Sequence, residues 1–433
     1  MFRKLFATSV VATVFLFHAT TMPTIAADPV AEKKTDEQLK EMALTLNDLT
    51  SVDGMNAKLK ELGKDKATAK QLIAVAGKMQ KDAEEKKPPF KFNAALVLGM
   101  LASQVKDFPH AEQFLEHCYE SAVKLQSGKR ILTAYEPLVE VYWEQKKYKE
   151  AEELIKKLID TDGGQELENA KPIVMEQLVR TKVKQGDIDD ALAITENMIS
   201  ADKDGWFFVQ LKGSVLRETG KFKEAIVAYQ DVVERLKKAK LPVNKKAREA
   251  ISQRARYVLS SLYVDIKDID KAAETLQALI KDDPENSTYY NDLGFIWVDN
   301  DMKLDESETM IRKAIKLDAA LRKKLLDKGD ITKEVAKAEN SAYLDSLGWV
   351  LFKRGKFEEA YKYLDKASQD PEDGNHIEIW DHVADCLVAL DKKKEAVEVW
   401  TKALKLEDLT KRDAERRKKI TEKLKKTKAE LAK

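Results

Sequence analysis

LGFIWV at 293–298 and LGWVLF at 347–352 are two copies of one phrase, followed by EEAYKYLDKA at 358–367 and KEAVEVWTKA at 394–403. A phrase that returns at near-regular spacing marks stacked copies of one supersecondary unit. In the second copy, Leu347, Gly348 and Leu351 put leucines on one helix face and a residue without a side chain where another helix can approach closely. Gly355 then tolerates the left-handed turn that closes a helix. A second helix follows, with Ala360, Leu364 and Ala367 along one face, and Pro371 stops it. The unit is an antiparallel helical hairpin whose apolar surface is buried only when a neighbour stacks on it.

The small residue that opens the second helix recurs as Ala111, Ala151, Ala191, Ala225, Ala272, Ser307, Ala360 and Ala396. Twelve residues earlier stand Gly99, Val139, Val179, Gly213, Ser260, Gly348 and Ala384, with Gly294 one residue further out. The turns read GDIDDA from Gly186, GKFKEA from Gly220 and GKFEEA from Gly355. This pattern resembles the tetratricopeptide repeat family over residues 92–404. The resemblance implies an all-α fold, a right-handed α-solenoid of stacked antiparallel helix pairs. Marker spacings of 40, 40, 34, 47, 35, 53 and 36 depart from the ~34 residues of the family's repeat. The departures place insertions at 161–171, 235–250 and 319–341, and the last is long enough to prolong one helix and start another.

Composition agrees with long solvated helices: 35% of residues are charged, with only 16 Gly and 10 Pro in 433 residues, and no run of alternating β-branched residues occurs. A stack in which each unit touches its neighbours escapes the usual conversion of length into domain count. The expected organisation is a signal peptide at 1–27, a helical cap or irregular repeat at 28–90, about eight repeats over 91–404, and a charged capping helix at 405–433.

The signal-peptide expectation rests on the basic start MFRKLF, an apolar run at 7–17 too short for a confident span, and Thr24-Ile25-Ala26-Ala27 before Asp28. It implies an exported protein, periplasmic or secreted, in a bacterial context, with retention as an uncleaved anchor the lesser reading. Loss of Arg3 and Lys4 leaves 74 basic against 75 acidic groups, a balance that predicts no polyanion binding. Residues 409–433 are locally basic, with eleven basic and four acidic side chains. They read as a solvated cap sealing the stack through Ile420, Leu424 and Leu431; contact with nucleic acid, in an intracellular protein, is the alternative.

Catalytic signatures are absent: no HExxH, P-loop, GxSxG, GxGxxG or paired CxxC occurs. Cys118 and Cys386 read as small core residues in distant repeats, not as a disulfide. His110 and His117 are two helical turns apart, about 10.5 Å, too far to share a metal without other ligands. Neither a cofactor nor a metal is expected. A role as accessory subunit of an envelope enzyme or assembly complex stays open beside an interaction scaffold.

Binding is then the expected function, and the resemblance implies that first helices line a groove with residues around the Gly position facing into it. One residue past that position stand Phe295, Trp349 and Asp385; four past it, Trp143 and Phe352; three before it, Tyr257, Asn291, Asp345 and Asp381. These nine residues describe an acidic, aromatic groove suited to a protein or peptide with basic and apolar side chains. The alternative for each aromatic is simple packing between repeats. The family's carboxylate clamp needs basic residues where Asp345 and Asp381 stand, so only Asn291 fits it.

Overall fold

The computed structural model describes residues 34–83, 88–238, 244–371, 374–406 and 411–432. The expected signal peptide, Lys86-Lys87 of the break before the repeats, and the junction at 407–410 lie outside the described residues. Every regular element among the described residues is helical. Two compact units meet in sequence at Gly220.

The first unit opens with α1 (Asp36–Thr45), α2 (Val52–Leu62) and α3 (Lys66–Asp82), a helical lead-in to the repeats. Hairpins follow: α4 (Phe92–Gln104) with α5 (Phe108–Lys124), α6 (Gly128–Glu144) with α7 (Tyr148–Ile159), and α8 (Gly164–Gln185) with α9 (Ile188–Ala201). Helix α10 (Phe207–Glu218) closes the unit. The insertion at 161–171 is spent on lengthening α8 to 22 residues. Trp206 and Phe207 are half-buried at the start of α10, in edge contact at 6.0 Å, and Phe208 is buried behind them.

The second unit begins with α11 (Phe222–Lys238), α12 (Lys245–Asp265) and α13 (Ile269–Asp282). Next come α14 (Ser287–Asp299) with α15 (Leu304–Lys328), the short α16 (Lys333–Lys337), and α17 (Ser341–Lys353) with α18 (Phe357–Ser368). The unit ends with α19 (Ile377–Ala389), α20 (Lys393–Ala403) and α21 (Lys411–Leu431). The insertion at 319–341 does both things expected of it: α15 runs to 25 residues and α16 is added.

Packing explains the sequence markers. Each of the eight small residues is the fourth residue of its helix, and each is fully buried. Opposite them, a Cβ on Gly348 would lie 2.5 Å from Leu364 Cγ and 3.1 Å from the Ala360 carbonyl oxygen, so only glycine fits this crossing. The turn between α17 and α18 passes through Gly355 at φ +75°; Lys267 and Asp391 hold the same place in their own hairpins at φ 62° and 61°. Contacts run between successive helices and between successive first helices, α14 to α17 to α19, as in a nearest-neighbour stack.

One apolar core in the second unit joins Val298, Ile311, Leu347, Leu364, Leu387 and Trp400 to Ile420 and Leu424 of α21. Leu431, expected to seal the cap with them, is 41% exposed: the stripe buried along α21 ends at Thr427. Cys118 and Cys386 are free and buried, each Sγ set on a backbone carbonyl, of Phe92 and Phe357 respectively. Burial pushes the Cys386 thiol up to about 12, and that of Cys118 higher, so both are unreactive as nucleophiles.

Candidate partner-binding face

Helices α14, α17 and α19 follow one another as first helices of their hairpins, and repetition brings matching positions into one row. Asn340 caps α17 by accepting from the Tyr343 amide, and His376 caps α19 by accepting from the Glu378 amide. These caps fix where each helix starts and therefore which residues enter the row.

The centre of the face is an aromatic stack. Trp349 lies parallel to His382 at 4.0 Å and to Phe352 at 4.9 Å, and Phe295 tilts toward His382 at 6.4 Å. His382 is fully buried, and its Nδ1 stands 2.9 Å from Asp345. With the proton on Nδ1 the ring donates to Asp345, leaving Nε2, 3.4 Å from Arg416, to accept. Burial works to lower the His382 pKa, but the Asp345 charge and hydrogen bond outweigh it and hold the imidazole above its ordinary value.

The edge of the face is ionic. Asp381 accepts from Trp400 Nε1 at 2.9 Å and from Lys423 Nζ at 2.9 and 3.0 Å, with Arg416 at 3.3 Å. Lys423 also reaches Asp385 at 2.6 Å, and Arg416 pairs with Glu378. Burial and the neighbouring Asp381 charge raise the Asp385 carboxyl above its usual range, against the pull of Lys423. Arg416 and Lys423 both belong to α21. The same helix sends Arg412 to Asp265 at 3.1 Å, at the end of α12, and Arg417 to the Leu404 carbonyl at 2.6 Å.

The expected groove is therefore covered at its acidic end by the protein's own basic helix. Sequence reading puts Asp345 and Asp381 on the groove surface; they are instead 4% and 1% exposed, because His382, Trp400 and α21 close over them. Asp385 is half-buried beneath Lys423. Six of the nine expected residues, Phe295, Asp345, Trp349, Phe352, Asp381 and Asp385, are linked through His382, Arg416 and Lys423.

Tyr257 and Asn291 form a separate cluster. The Tyr257 hydroxyl donates to Asp292 at 2.6 Å, and Asn291 Nδ2 donates to the same carboxylate at 3.3 Å. Burial holds the Asp292 carboxyl above its ordinary range, against both donors. Among the described residues, Asn291 Oδ1 and Trp349 Nε1 are buried without a hydrogen-bond partner. Trp143 lies in the first unit, where its Nε1 donates to Thr181 at 3.0 Å beneath Lys184.

Sequence reasoning passed over His382, which joins the aromatic and ionic parts, and over Asp292. It also passed over Glu136 and Glu140 on α6, which stand three before and one after Val139, the places that Asp381 and Asp385 hold relative to Ala384. Applying the register to every repeat finds them. Among the described residues no group of three or more His, Cys, Asp and Glu is placed to hold a metal ion.

Fold and face together define a helical-repeat protein with a packed row of first helices. Residues 137–247 match the model of a tetratricopeptide repeat-like domain, and residues 254–286 that of a tetratricopeptide repeat. Residues 324–403 match the model of anaphase-promoting complex, cyclosome, subunit 3. A TPR repeat-containing protein of Pseudomonas aeruginosa is 27% identical over 113 residues, which cover 26% of this chain and 16% of that relative. Among solved structures, a tetratricopeptide repeat protein of Parabacteroides merdae is 14% identical with a TM-score of 0.46, over 70% of this chain and 99% of that one. A thermophilic TPR protein of Thermus thermophilus is 14% identical with a TM-score of 0.36, over 50% and 99%.

Proposed function

We propose that this protein is an exported, non-catalytic interaction scaffold whose second unit binds a partner protein or peptide carrying basic and apolar side chains on the face of α14, α17 and α19. The observation that carries this is the occupant of the acidic end. Helix α21 meets the face with Arg416 and Lys423 on carboxylates and with Ile420 and Leu424 in the core, the side-chain chemistry expected of a partner. The carboxylates that converge there are held in ion pairs, an arrangement suited to anchoring side chains of opposite charge. Export is supported by the basic start, the apolar run and the small residues before Asp28. Among the described residues no helix is long and apolar enough to cross a membrane. The nucleic-acid reading of the basic tail loses support, since Arg412, Arg416, Arg417 and Lys423 are all engaged with the protein itself.

Affinity capture from the envelope fraction, followed by sequencing of the mature amino terminus, tests both halves. Phe295→Ala should reduce retention of the captured partner by about tenfold, as loss of an aromatic anchor does, with a melting temperature near that of the wild type. An intact Met1 defeats export, and undiminished capture by the variant defeats the face.

A further inference from the structure

We infer that α21 is a displaceable resident of this face, and that the partner is a basic amphipathic helix repeating its pattern: a cation at i and i+7 with apolar residues at i+4 and i+8, as in Arg416, Lys423, Ile420 and Leu424. The inference rests on the reading of this face as a binding surface and adds the shape of the partner and how it gains entry.

Three observations carry it. First, a large share of what holds α21 is charge: Arg412, Arg416 and Lys423 pair with Asp265, Glu378, Asp381 and Asp385. Among its described residues Ile420 and Leu424 are the large buried apolar side chains, and Leu431 is exposed. Second, the cations that hold it stay within reach of water: the side chains of Arg416 and Lys423 are 22% and 33% exposed, whereas Asp381 beneath them is 2% exposed. The pairs with Glu378 and Asp385, whose side chains are 29% and 18% exposed, weaken with salt, and cations open to water can be replaced by those of a partner. Third, α21 satisfies the face incompletely. It neutralises Glu378, Asp381 and Asp385 but leaves Trp349 Nε1, a donor, and Asn291 Oδ1, an acceptor, without partners among the described residues. A helix that supplies the same cations and also carries a polar side chain toward α14 and α17 makes contacts that α21 does not.

The test uses the full-length protein and a labelled synthetic peptide of residues 411–432. A resident that must leave first lowers apparent affinity by the fraction of time the face is open, so R416E/K423E should bind the peptide at least about tenfold tighter than the wild type. A peptide carrying the same two reversals should bind neither. Equal affinity of wild type and R416E/K423E for the peptide overturns the proposal. So does light scattering that shows the wild type dimerising through exchanged α21, because the occupant is then a second copy. Should R416E/K423E fail to fold, hydrogen exchange of the wild type decides. Amides of α21 that exchange at least about tenfold faster than those of α19 and α20, and faster still in high salt, support a displaceable helix; exchange together with α19 and α20 overturns it. Failure here leaves the scaffold reading standing, since capture of a partner and its loss in Phe295→Ala do not depend on α21 leaving.

Discussion

Helix α6 in the first unit and helix α19 in the second carry carboxylates at the same two places of the repeat, and the two units treat them in opposite ways. On α19, Asp381 is buried beneath Lys423, Arg416 and Trp400, and Asp385 is held by Lys423. On α6, Glu136 and Glu140 are exposed and have no cationic partner among the described residues. Loss of hydration in the surrounding protein raises both glutamates above their ordinary range, and the charges of Glu136 and Glu144 push Glu140 further. Repeat position sets where a carboxylate points. Whether it becomes an anchor or an open surface charge depends on what docks over it.

The sharpest way to break this comparison is to remove a carboxylate from each side. Asp381→Ala leaves Lys423, Arg416 and Trp400 without their shared acceptor and should cost about 3–5 kcal/mol, while Glu136→Gln with Glu140→Gln should change stability by less than about 0.5 kcal/mol or raise it slightly by relieving like-charge repulsion. Denaturant unfolding measures both; equal costs would erase the distinction. The helix crossings at α6 and at α17 differ in the same register, while Gly99 of α4 makes a crossing like that of Gly348, with a Cβ there 2.7 Å from Leu115 Cγ. Gly348→Ala forces a methyl against Leu364 and should cost about 1–3 kcal/mol, whereas Val139, fully buried at the matching position of α6, shows that the α6 crossing accommodates a branched side chain. A Gly348→Ala protein as stable as the wild type would mean that the α17 and α18 contact is no tighter than its counterpart.

The smallest effect is in pH, and the two units should respond with opposite sign. His382 titrates above its unfolded value, so its contribution is full below about pH 6.5 and is lost as pH rises through the folded value. In the first unit, burial works to raise Glu152, but Lys156, Gln185 and Lys182 outweigh it and hold the carboxyl at about 2. Its contribution is present above the unfolded value of about 4.3 and is lost as pH falls through that range toward the folded value. His382→Gln should therefore flatten the alkaline decline of the melting temperature, and Glu152→Gln the acid decline, each by a few degrees, given that 1 kcal/mol moves a unit of this size by about 2–4 °C. Unchanged slopes in either variant would remove that residue from the account.

The all-α fold was legible because packing repeats its demands. A small residue is required wherever two helices of a hairpin cross, and Ala111 through Ala396 answer that demand at the same helix position each time. Neighbouring candidate positions followed from the same register, which is why Asp345, Trp349, Phe352 and Asp381 converge. Burial was not legible. Asp381 reads as a surface carboxylate until Lys423, forty-two residues later in the chain, is known to lie on it. Periodicity within α21 identifies Ile420 and Leu424 as an apolar face but does not say which helix receives them, and it extends that face to Leu431, where the structure has none. His382, midway along a first helix, carries no local signal that its ring sits between Asp345 and Arg416.

The order of synthesis gives the α21 contacts a further meaning. Asp381 and Asp385 are made before Arg416 and Lys423, so a chain interrupted between the end of α20 and Arg416 carries these carboxylates without the cations that neutralise them. Such a fragment has all of its hairpins and lacks a settled charge balance, which exposes it to proteases that read local opening. The ion pairs on α19 are thus the last of these contacts to be completed in synthesis, and a chain ending at residue 406 should be cut faster in limited proteolysis than the full-length protein.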